Sequence, residues 1–149
     1  MNAIADILVS SPDGWPIAAI EVKNPQNLSR DVATELRRNL LAHGLSPQLP
    51  YFLLLSQDTG FLWKKTRRSA LNAQPNYEFP MSEVVNRYWP ERNQNERLRE
   101  PQLELIILQW LLSLTNLPQE TNGEPEKSLA RSGLLESIRG ATVQADARL

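Results

Sequence analysis

Three residues of this chain have types and spacing suited to phosphoryl chemistry: Asp6, Glu21 and Lys23. Each acid lies inside an apolar run, "IADILVS" for Asp6 and "PIAAIEVKN" for Glu21 and Lys23. Between the runs, Asp13-Gly14 is a favoured pair for a two-residue hairpin turn. Such a turn sets Pro12 opposite Trp15, and counting back along both arms sets Asp6 opposite Glu21. Directly opposed residues share a face, with Cβ atoms about 4.5–5.5 Å apart. Period-two alternation adds Lys23 to that face. Opposed like charges destabilise a sheet, and burial worsens the repulsion. A divalent cation would offset it, because two carboxylates and a backbone carbonyl suit Mg²⁺ or Mn²⁺. Such an ion activates water and stabilises charge on a phosphate, with Lys23 orienting the water or neutralising phosphoryl oxygens. The alternative is a wet face on which Lys23 screens two ordinary surface acids.

The elements that must position these residues are readable in outline. Residues 3 to 11 and 16 to 23 have the composition of strands. Ser29 is placed to cap a helix over about 30 to 43, with Val32, Ala33, Leu36 and Leu40 as its apolar stripe and Arg30, Thr34, Glu35, Arg37 and Arg38 facing elsewhere. Gly44 is placed to end it. "PYFLLLS", 50 to 56, fits a strand buried on both faces, and "FLWKK" a strand paired with it. The order strand, strand, helix, strand, strand indicates an α/β fold with a mixed sheet and a crossover helix. Residues 66 to 80 read as irregular and "MSEVVNRYW" as a short helix. Pro101 starts a strongly apolar helix over about 102 to 116, lined by Leu103, Ile106, Ile107, Trp110 and Leu114. A helix this apolar must be covered by the sheet, the tail or another chain. The expected division is a core over 1–90, a connector and apolar helix over 91–118, and a flexible linker with a short C-terminal helix over 119–149.

Composition limits the alternatives. With 41% apolar and 22% charged residues the chain is ordinary globular material. Its formal charge of -1 gives no bulk attraction to nucleic acid, so any contact must come from local clusters. The candidates are Arg37 and Arg38, and Lys64 and Lys65 within "KKTRR". There is no cysteine, which removes disulfides and thiolate metal sites and is compatible with a cytoplasmic protein. A single histidine, His43, argues against a histidine-rich zinc site. No signal peptide is apparent, and the run Leu105 to Leu114 is too short to span a bilayer. Trp63 and Trp110 are expected in the core and Trp15 partly exposed at the turn.

Asp6, then "IEVK" with Glu21 and Lys23, then a helix and a hydrophobic strand, resembles the PD-(D/E)XK nuclease superfamily, the restriction-endonuclease-like fold. The resemblance covers residues 3 to 64. It implies metal-dependent cleavage of phosphodiester bonds, usually in DNA. It further implies that Asp6, Glu21 and the backbone carbonyl of Val22 hold Mg²⁺ or Mn²⁺, and that Lys23 is the catalytic lysine. The helix after Glu-x-Lys often approaches substrate in that family, which is where Arg37 and Arg38 would act. The family core opens with a helix and a strand ahead of the Asp-bearing strand, and its first helix often adds an acidic ligand. Only five residues precede Asp6 here. The expectation is therefore a core lacking its first helix and strand: truncated at the N-terminus, completed by a partner chain, or no longer active. The competing reading is a catalytically inactive module of the same fold. It would serve protein interaction or homodimerisation through the 102–116 helix or the open sheet edge.

Overall fold

A computed structural model describes residues 3–25, 28–65, 71–93 and 96–148. The elements are β1 (Ala3–Ser10), β2 (Pro16–Val22), α1 (Arg30–Ala42), β3 (Tyr51–Leu55), β4 (Thr59–Lys64), β5 (Tyr77–Pro80), α2 (Ser82–Tyr88), α3 (Glu100–Asn116), α4 (Glu126–Arg131), α5 (Leu134–Ser137) and β6 (Thr142–Arg148). The fold is α/β. Six strands form one mixed sheet in the order β5-β4-β3-β2-β1-β6. Among the described residues only β2 and β3 pair in parallel, and α1 is the crossover between them.

Alternation along the strands divides the core between the two sheet faces. Ile7, Val9, Ile20, Val22, Leu53 and Leu55 pack with Leu103, Ile107 and Trp110 of α3. Leu8, Ala19, Leu54, Phe61 and Trp63 pack with Ala33 of α1 on the other. All five residues of β3 are buried, as its unbroken apolar run requires. Fully burying a leucine or isoleucine stabilises by about 1.5–3 kcal/mol, so α3 is fastened chiefly by Leu103, Ile107 and Trp110. Ser29 caps α1 as expected, its hydroxyl accepting the Val32 N–H at 3.2 Å.

The α1 stripe differs from expectation. Val32 is 45% exposed, while Thr34 and Arg37 are buried beside Ala33. The sheet twists beneath the helix, and Trp63 presents a ring over which the Arg37 guanidinium lies, 5.6 Å from its centroid. A long side chain can bury its stem in this way even when it carries charge.

The hairpin also departs from the two-residue turn. The Ser11 N–H donates to the Trp15 carbonyl, and the Gly14 N–H to the Ser11 carbonyl, each at 2.8 Å. The loop is thus the three residues Pro12, Asp13 and Gly14. Gly14 takes φ 91°, a left-handed conformation that glycine adopts without steric cost. That loop alone would slip the register by one residue. A bulge restores it: Ser10 pairs with Pro16 but Val9 pairs with Ala18, leaving Ile17 as the extra residue. Leu8–Ala19 and Ile7–Ile20 then follow the register that points Asp6 at Glu21.

The last third of the chain holds the largest difference. In place of a flexible linker and one short helix, 119–149 contains α4, α5 and β6. β6 pairs antiparallel with β1 from Ala3–Arg148 to Ser10–Thr142, so the β1 edge expected to lie open is occupied. The tail is tied down by polar contacts. Tyr51 donates its hydroxyl to the Ser132 carbonyl at 3.0 Å, and the Gly140 N–H meets the Thr115 carbonyl at 2.8 Å. The buried Glu126 carboxylate accepts from Trp110 Nε1 and Arg87, each at 3.0 Å. Part of the stretch expected to be irregular forms the edge strand β5, whose Phe79 is buried over Gly60. Among the described residues no helix is long and apolar enough to cross a membrane.

Candidate metal and hydrolytic site

Asp6 and Glu21 come close enough to act on each other's charge, at the end of the hairpin away from its turn. Past Ile7–Ile20 the ladder between β1 and β2 changes character. Asp6 Oδ2 accepts the Val22 N–H at 2.7 Å, standing in for a main-chain carbonyl. A bond of this length to a carboxylate is charge-assisted and strong. In return, the Asp6 backbone hydrogen-bonds the Glu21 carboxylate. The two acids are therefore held by each other's strands. In a strand, one residue's N–H and C=O point to the same side, so Val22 turns its carbonyl toward Asp6 as well.

Glu21 is only 7% exposed. Lys23 Nζ lies 3.3 Å from Glu21 Oε1, and its side chain is 41% exposed. Burial pushes the Glu21 carboxyl above the usual glutamate value, Asp6 adds to the rise, and Lys23 only partly offsets it. Burial alone would lower the Lys23 ammonium. The Glu21 carboxylate, helped by Glu100 and Asp6, outweighs it and holds Lys23 above the usual lysine value. The two shifts have different leading causes: burial raises Glu21 first and the neighbouring Asp6 second, whereas the surrounding carboxylates raise Lys23 against its burial.

The carboxylates of α3 approach the same place. A groove of about 200 Å³ beside Asp6 is lined by Ile7, Pro101, Glu104, Leu105, Leu108 and Ala145. Among the described residues no three histidine, cysteine or acidic side chains form a metal-holding group. The groups that could hold a cation are then two carboxylates and the turned carbonyl of Val22. That suits Mg²⁺, which commonly keeps several waters and takes one or two carboxylates with substrate phosphates.

The other candidate residues lie elsewhere. Arg37 is 7% exposed and turned into the core against Trp63, which corrects its place on the outer face of α1; a side chain so covered cannot track a phosphate backbone. Arg38 is exposed and donates to Asn72 Oδ1 at 3.3 Å. Lys64 and Lys65 are exposed at the end of β4, Lys65 donating to Gln48 Oε1 at 2.7 Å. The rest of "KKTRR", residues 66–68, lies outside the described residues. Trp63 and Trp110 are buried, and Trp15 is 75% exposed.

Sequence reading missed Asn24, Gln57, Arg97, Glu100 and Glu104. Asn24 lies just past the second strand, Gln57 in a turn, Arg97 and Glu100 in the expected connector, and Glu104 in the apolar helix. No local spacing links residue 24 to residues 97 and 98. Comparison with protein-family models, curated proteins and solved structures finds no match to this chain.

Proposed function

We propose that this protein is a divalent-metal-dependent phosphodiester hydrolase acting on DNA, built on a restriction-endonuclease-like core. The observation that carries the reading is the meeting of Asp6, buried Glu21 and Lys23 at one end of the β1–β2 hairpin. A site used only as wet surface has no reason to bury one acid against another. The rest of the fold is consistent with the resemblance. β6 lies beside β1 and α3 packs against β6 and β2, and on this reading they would take the places of the strand and helix that the family sets ahead of its Asp-bearing strand.

Asp6, Glu21 and the Val22 carbonyl would hold Mg²⁺ or Mn²⁺, which supplies Lewis-acid activation of water and stabilisation of phosphoryl charge. Lys23 is placed to orient that water or to hydrogen-bond a non-bridging phosphate oxygen. Its partial exposure leaves the ammonium within reach of substrate, while Glu21 fixes its direction. The test is incubation with plasmid and with single-stranded DNA in Mg²⁺, Mn²⁺ or EDTA, beside Lys23→Ala. The expected result is cleavage that needs metal and disappears in the variant. Metal-independent cleavage, or equal cleavage by Lys23→Ala, refutes the reading.

A second reading, a non-catalytic self-associating module, draws on one feature. Leu105 and Leu112 of α3 are 57% and 43% exposed, and β6 is the outer strand of the sheet beside that helix. Light scattering of the wild type and of Leu105→Glu with Leu112→Glu decides it. A dimer that the pair dissociates supports the module, and a wild-type monomer at high concentration removes it.

A further inference from the structure

Asn24 follows Lys23 directly, and its side chain reaches across the fold. Nδ2 donates to the Leu98 carbonyl at 2.5 Å, and Oδ1 accepts from Arg97 Nη2 at 3.4 Å. Arg97 also pairs with Asp58 at 3.1 Å. From the other side Gln57, itself buried, accepts the Leu98 N–H at 3.0 Å. Both main-chain groups of Leu98 are thus satisfied by two side-chain amides, one just beyond β2 and one just beyond β3. Leu98 belongs to no strand or helix, so its backbone needs such partners to be buried. Two residues later α3 begins. Within its first turns Glu104 lines the groove with Asp6.

We propose that Asn24 is a positioning residue of the hydrolytic site: with Gln57 it grips Leu98 and seats the first turns of α3 so that Glu104 stands in the groove beside Asp6. A rigid amide grip suits this task better than the long arm of Arg97, because each amide makes short bonds to backbone atoms only two residues from Glu100. The effect on turnover rests on the proposed function above. The seating of α3 does not, and it is measured separately.

The seating is read from backbone amides. Hydrogen exchange of the wild type and of Asn24→Ala is followed by mass spectrometry on peptides covering 98–105, with β3 as the internal reference. Asn24→Ala frees Leu98, so the first turns of α3 exchange at least tenfold faster while β3 is unchanged. Should Asn24→Ala lose cooperative melting, Gln57→Leu replaces it, keeping buried volume and removing the acceptor for Leu98. Turnover is read in Mn²⁺-dependent cleavage, where the grip variant loses at least tenfold in kcat with KM within twofold. Faster exchange at α3 together with lowered kcat supports the proposal. Wild-type exchange in the grip variants overturns it, whatever happens to cleavage, and faster exchange with wild-type kcat overturns the positioning role. Faster exchange in a protein whose wild type never cleaves DNA supports the seating of α3 and sinks the hydrolytic reading alone.

Discussion

Replacing Glu21 by glutamine separates the electrostatic cost of that carboxylate from its proposed role as a metal ligand. Glutamine keeps the size and one carbonyl oxygen, so packing on Ala19 and the strand face is preserved. Lost is the ion pair with Lys23, worth at most about 1 kcal/mol because the lysine is substantially exposed. Gained is relief from the repulsion with Asp6 and from burying a charge. The pH dependence has a definite sign. Folding raises the Glu21 pKa, so the folded state binds more protons than the unfolded one between the ordinary value of 4.5 and the raised one. The contribution to stability is complete below 4.5 and is lost as pH rises through the folded value. Glu21→Gln should abolish that decline. Metal should act in the opposite direction. At a Mn²⁺ concentration 100 times its dissociation constant, binding to the folded state adds about 2.7 kcal/mol. For a chain of this length about 3 °C accompanies each kcal/mol, so Tm should rise by about 8 °C. The assay is thermal unfolding from pH 4 to 8, with and without Mn²⁺, for both proteins. Wild type should show the metal-dependent rise and the variant little of it. A wild-type Tm indifferent to 10 mM Mn²⁺, or a variant that keeps the full rise, refutes the argument that these carboxylates form a cation site.

Three further substitutions probe the frame around the site. Arg37→Ala should destabilise by about 1–3 kcal/mol in urea unfolding, because it empties a buried contact with Trp63, while Arg38→Ala should stay within about 0.5 kcal/mol. Equal effects would refute the inward placement of Arg37. At Gly60 a methyl group would overlap the Phe79 ring and come within 2.9 Å of Leu55, so Gly60→Ala should cost about 1–3 kcal/mol and loosen β5 in hydrogen exchange. Wild-type stability in that variant would show that β5 does not close over β4 as described.

Several parts of the molecule are legible in local sequence because local physics decides them. Ser29 caps α1 whatever lies around it. The unbroken apolar run of β3 has to be covered on both faces. Asp6 and Glu21 come close because the register of Ile7–Ile20 sets them level on the two arms of one hairpin, although Asp6 then reaches into the ladder to the Val22 N–H. Even there the turn was misjudged. A three-residue loop and a bulge at Ile17 cancel, and the expected register survives two compensating departures. Arg37 was legible only as one more polar residue on a helix, since nothing nearby in sequence announces the Trp63 ring, 26 positions on.

What the chain alone determined is the hairpin with its acids and lysine, the crossover helix, the buried strand and the apolar helix: features set by neighbours within a few residues. Tertiary structure decided the rest. β6 closes the β1 edge from the opposite end of the chain, Asn24 grips Leu98, and α3 brings Glu100 and Glu104 toward Lys23 and Asp6. These arrangements depend on unpaired backbone groups and uncovered apolar faces finding partners far away in sequence. Many segments of similar composition could satisfy the same need, and only the folded chain selects among them.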